Sequence, residues 1–169
     1  LLISISGCSR KKAVEKKLED IRTGTQGIVM SFLPNAPPDK IHVAHEGDNT
    51  FDIILEMRNK GAYPQPDDKG KAPNGYVVVS GYDSNIIKIG ETIDNDQFWQ
   101  NIDKKDLEGK STINPNGGLD LVNFKGWVNL NDLHVEKYEP TLLVTACYKY
   151  KTIAGPPVCI DPNPFSTAN

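Results

Sequence analysis

A chain of 169 residues with 19 Lys and Arg against 22 Asp and Glu, net charge −3, has room for one domain around a single buried core. That length leaves little space for a two-domain enzyme, and charges of both signs scattered along the chain build no cationic field for nucleic acid. Gly (14) and Pro (12) cluster between short apolar runs, which is the punctuation of an all-β fold and not of a low-complexity tract.

The first segment, Leu1-Leu2-Ile3-Ser4-Ile5-Ser6-Gly7-Cys8, is apolar, with small residues directly before a cysteine and the basic run Arg10-Lys11-Lys12 after it. This is the pattern of a signal-peptide tail. Ile5-Ser6-Gly7-Cys8 is similar to the lipobox of prokaryotic lipoproteins. The resemblance implies cleavage before Cys8 and lipidation of Cys8 at the new N-terminus. Residues 1–8 are too few to span a hydrocarbon core of about 30 Å, so they are expected to be a signal or anchor remnant. An uncleaved N-terminal membrane helix is the alternative.

Over residues 9–24 charged side chains dominate, and Ala13, Val14, Leu18 and Ile21 form a narrow helical stripe. The pattern predicts a short solvated helix, a stalk ended by Thr23-Gly24-Thr25. Residues 25–160 then show period-two segments. Gly27–Leu33 is the first expected strand, stopped by Pro34. Phe51–Asn59 is the clearest, with Phe51, Ile53, Leu55 and Met57 on one face and Asp52, Glu56 and Arg58 on the other. Asn59-Lys60-Gly61 supplies turn chemistry, and a Pro-, Asp- and Gly-rich loop follows. Tyr76–Tyr82 is apolar on both sides, as suits a central strand.

Between Ile86 and Gly118 the signal is mixed. Asp94-Asn95-Asp96 ahead of Phe98-Trp99 predicts a capped helical turn, and Asn114-Pro115-Asn116-Gly117-Gly118 a tight turn. Strands are expected again over Leu119–Leu130 and over Thr141–Thr152, where Leu142, Val144, Ala146, Tyr148 and Tyr150 share a face. Residues 161–169 read as a Pro-rich tail or linker. Five to seven strands joined by Gly/Pro/Asn loops predict an all-β fold, an antiparallel β-sandwich preceded by a short N-terminal helix, with an up-and-down barrel as the less favoured closure. The strand and Asn-x-Gly turn of Phe51–Gly61 resemble those of the cell-adhesion-related immunoglobulin-like modules of archaeal and bacterial surface proteins. That resemblance implies an immunoglobulin-like sandwich with an adhesive or architectural role.

Cys147 and Cys159 flank Gly155-Pro156-Pro157, and a chain reversal there would pair them in an oxidising compartment. Such a disulfide would close a short loop and contribute about 3 kcal/mol. His42 and His45, with Glu46 and Asp48 behind them, have ligand chemistry but lie in a segment bounded by Pro and Gly, so they are expected to be surface polar residues. His134 stands alone. Asp94, Asn95, Asp96, Asp103 and Asp106 lack the spacing of a calcium loop and are assigned to capping and solubility.

No nucleophile elbow, phosphate-binding loop or His-Glu-x-x-His motif occurs, so neither an enzyme nor a cofactor is expected. Tyr63, Phe98 and Trp99, set among polar residues, are the contact candidates, whereas Tyr76, Tyr148 and Tyr150 are assigned to the core. The expected function is that of an extracytoplasmic, membrane-tethered cell-surface module. It would be held by a lipid anchor or N-terminal helix and act through protein or polysaccharide contacts. Two alternatives stand beside it: a filament subunit, a homo-oligomer built by strand or tail exchange, and a small extracytoplasmic enzyme with a loop-built site.

Overall fold

The computed structural model describes residues 21, 23–43, 49–65, 68, 71–91, 96–129, 137–156 and 158. Its elements are seven strands: β1 (Ile28–Phe32), β2 (Thr50–Asn59), β3 (Gly75–Ser80), β4 (Ile87–Ile89), β5 (Trp99–Asn101), β6 (Leu119–Val128) and β7 (Leu143–Tyr148). They form two antiparallel sheets, one of four strands in the order β1-β2-β6-β4 and one of three in the order β5-β3-β7. The expectation of an all-β domain with two antiparallel sheets is met. The stalk helix expected over 9–24 and the anchor segment 1–8 fall almost wholly outside the described residues.

Alternation along each strand decides what is buried. On β2, Phe51, Ile53, Leu55 and Met57 lie within the core at 7%, 0%, 1% and 0% exposure, while Asp52 faces water. Each such side chain contributes about 1.5–3 kcal/mol when fully buried. Val122 and Phe124 of β6 and Ile87 and Ile89 of β4 join them, and Val77 and Val79 of β3 complete the same cluster from the other sheet. Register explains one composition detail: Phe51 stands opposite Gly126, and its ring occupies the space where a Cβ at 126 would lie.

At the end of β2 the core contains a polar group, and the sequence accounts for it. Asn59 is fully buried. Its amide nitrogen donates to the Tyr63 carbonyl at 2.7 Å and the Leu107 carbonyl at 2.8 Å, and its oxygen accepts from Gly61 N at 3.0 Å. One side chain thus closes the 59–63 turn and ties it to the 107–109 loop, with every amide hydrogen used. The Asn114–Gly117 turn predicted from sequence packs alongside, with Gly117 at φ +72° and no room for a side chain against the Asn59 carbonyl.

The two flanks of the paired sheets differ. On the β4/β5 side, β4 is three residues long and β6 outlasts it. The exposed carbonyls of β6 are taken by other groups: Lys125 O by Gly90 N at 3.0 Å, Asn123 O by Gln100 Nε2 at 2.6 Å, and Leu121 O by Lys105 Nζ at 2.6 Å. On the other side β1 and β7 are both outermost strands, and Tyr148 reaches across between them, its hydroxyl accepting from Ile28 N at 2.9 Å.

Candidate contact surface

The three-stranded sheet has only one face on the core. Val77, Val79, Val144 and Ala146 point inward, so the residues between them must face out. Register sets Val78 between Trp99 and Thr145, Tyr76 between Asn101 and Cys147, and Ser80 opposite Leu143. Trp99 and Tyr76 are each 44% exposed and Leu143 is 55% exposed. An aromatic and aliphatic strip therefore crosses the outer face of all three strands, where a solvated sheet ordinarily carries polar side chains.

Beside Trp99 the mismatch between the short β4 and the long β6 opens a cleft of about 580 Å³, lined by Glu91, Gln97, Trp99, Asn101, Asn123 and Lys125 among others. The Lys125 ammonium sits 4.7 Å from the Trp127 ring centroid, a cation–π contact that fixes one wall. Gln100 crosses the floor with its amide committed to β6. The cleft so formed offers amide donors and acceptors next to an indole plane, a combination that grips a polar ligand with apolar ring faces. A second cavity, of about 360 Å³, is lined by Lys71, Asp106, Glu108 and Asn114. There the polar groups satisfy one another, Lys71 with Asp106 at 3.1 Å and Asn114 with Glu108 at 2.8 Å. Burial and then the neighbouring Asp96 carboxylate push the Tyr82 hydroxyl up to about 12.

The structure separates the three contact candidates. Trp99 lines the cleft and begins strand β5 where a capped helical turn was expected, while Phe98, 41% exposed, precedes it in the chain and is not part of the cleft lining. Pairing with Tyr76–Val78 of β3 holds that segment extended. Tyr63 belongs elsewhere. It precedes a cis proline and stacks edge-on against Tyr150 at 6.1 Å, which in turn meets Tyr148 at 6.1 Å. Of the tyrosines assigned to the core, Tyr148 packs against it, whereas Tyr76 and Tyr150 are exposed. Tyr76, Val78 and Leu143 are the surface residues that sequence reasoning missed. The signal was present in the unbroken apolar run of β3, which in a sheet with one core must leave an apolar outer face.

The disulfide expectation is corrected. Cys147 is an exposed free thiol on the outer face of β7, and from Lys149 to Pro156 the chain runs on without a turn. The reversal that the pairing required does not occur in that stretch, and Cys159 lies outside the described residues, as do Cys8, His45, Glu46, Asp48, Asp94, Asn95 and His134. His42 and Asp103 are exposed. Among the described residues no group of three or more His, Cys, Asp or Glu is placed to hold a metal ion, and no helix is long and apolar enough to cross a membrane. No family model matches this chain, and no curated protein and no solved structure matches it.

Proposed function

We propose that this chain is an extracytoplasmic cell-surface module, an immunoglobulin-like β-sandwich on a short helical stalk, tethered through a lipid on Cys8 and acting by contact with a polysaccharide. The observation that carries the ligand class is Trp99. Trp99 is 44% exposed on an edge strand, next to a cleft whose lining includes the amides of Gln97, Asn101 and Asn123. A sugar ring presents an apolar face to the indole and hydroxyls to Gln97, Asn101 and Asn123, so both kinds of surface are matched at once. A protein partner is the second reading, favoured by the Tyr76–Val78–Leu143 strip, which is flat and apolar in the way a contact surface is. The lipid tether is supported by Ile5-Ser6-Gly7-Cys8 and the basic run behind it.

Affinity electrophoresis of the chain through gels containing neutral or acidic polysaccharides tests this reading. Retardation by at least one polymer is expected, with Trp99→Ala weakening it by about 2 kcal/mol, or some thirtyfold, and leaving the unfolding transition in place. Retardation unchanged by Trp99→Ala but lost with Leu143→Lys would move the polysaccharide site to the sheet face, and no retardation by any polymer would favour the second reading.

A further inference from the structure

The β1/β7 flank carries a surface that the contact site does not use. β7 is the outermost strand of its sheet. Lys149 N donates to Asn74 O of the chain leading into β3, so by alternation Leu143, Thr145 and Cys147 direct their backbone groups to β3. Val144, Ala146 and Tyr148 direct theirs away from it. Natural edges are ordinarily blunted by charge, proline, bulges or covering groups. The β6 edge follows that rule through Gly90, Gln100 and Lys105, and β5 is only three residues long. Among the described residues β7 follows none of it: Leu-Val-Thr-Ala-Cys-Tyr has six residues, neither a charge nor a proline, and regular pairing along its length. Its neighbour β1, Ile-Val-Met-Ser-Phe, is likewise uncharged.

We infer that β7 is a homotypic assembly edge, pairing antiparallel with β7 of a second copy of this chain. The strand is complementary to itself in one register. A two-fold axis at Ala146 makes Ala146 face its own copy and Val144 face Tyr148, and these are the residues whose backbone groups point outward. Thr145 then faces Cys147 as a non-hydrogen-bonded pair, and inward side chains meet inward ones, so the two cores stay in phase. The smallest side chain of the strand lies on the axis. No like charges stand opposite one another within the strand, and just beyond its end Lys149 of each copy stands opposite the uncharged Leu143 of the other. The joined sheet would have six strands and a closed, isologous interface. This inference is independent of what the cleft binds.

Sedimentation equilibrium of the full chain over a concentration series is expected to approach twice the 18.6 kDa chain mass. Ala146→Pro removes an N–H that the single copy does not use, so it should fold, checked by circular dichroism, and associate at least tenfold more weakly. Thr145→Cys would stand opposite Cys147 of the copy with Cα atoms about 4.5 Å apart, inside disulfide range. Under oxidised glutathione it should yield a covalent dimer well above the wild-type level, while Leu143→Cys, set opposite Lys149, should not. If Ala146→Pro fails to fold, the two cysteine variants carry the test. A chain that stays monomeric overturns the inference and leaves the edge to a foreign strand. A dimer that survives Ala146→Pro, or cysteine variants that crosslink no better than wild type, overturns it as well.

Discussion

Asn59 concentrates more of the local structure than any other single residue. Truncation to Ala would strand the Tyr63 and Leu107 carbonyls and the Gly61 amide without their partner in a site that excludes water. At about 1–3 kcal/mol for each buried group left unpaired, Asn59→Ala is expected to cost about 3 kcal/mol or more, measured by urea unfolding. Asn59→Asp should be no milder, because it turns an acceptor oxygen toward two carbonyls. Tyr82 makes a different kind of prediction. Its hydroxyl is raised to about 12 by burial and then by Asp96, so the folded state holds the proton after the unfolded chain has released it. The contribution of Tyr82 to stability is therefore complete below about pH 10, the ordinary tyrosine value, and is lost as pH rises through about 12. Ultraviolet titration of tyrosinate should show one tyrosine ionising late, and Tyr82→Phe should remove that late step.

At the scale of elements, what could be read in advance was whatever local alternation decides. β2 was legible because Phe51, Ile53, Leu55 and Met57 alternate with charged residues, and β6 and β7 were legible through Phe124 and through Val144 and Ala146. β5 was not. Asp and Asn before Phe98-Trp99 look like a helix cap, and only pairing with β3, more than twenty residues earlier in the chain, holds Trp99–Asn101 extended. The length of β7 was overestimated for a related reason, since the tyrosines continue past Tyr148 while the ladder with β3 ends there. The cysteine pair was proposed from spacing and a Gly-Pro-Pro stretch, but a loop of the right length closes only if the chain turns. As for the site, Phe98-Trp99 stood out as aromatics among polar residues. The cleft beside Trp99 did not, because it arises from a three-residue β4 against a ten-residue β6, a mismatch created by non-local pairing.

At the scale of the whole molecule, the strand order β5-β3-β7 sets the cleft and the outer edge of β7 on opposite sides of one narrow sheet. Pairing through β7 would leave the two β5 strands at the far ends of six, about 24 Å apart at the usual spacing of about 4.8 Å between neighbours. The two indoles would then face the same side, held on one rigid frame. A ligand long enough to reach both would meet its second cleft at a high effective concentration, and the gain over a single site can reach 10²–10⁴ with no new contact. Short oligosaccharides, unable to bridge, would show only the intrinsic affinity of one cleft. Calorimetry with a graded series of chain lengths should accordingly show a step in affinity once the ligand exceeds the span. Ala146→Pro should abolish that step while leaving the short-ligand affinity unchanged, so that a weak individual grip becomes selectivity for long polymers over their fragments.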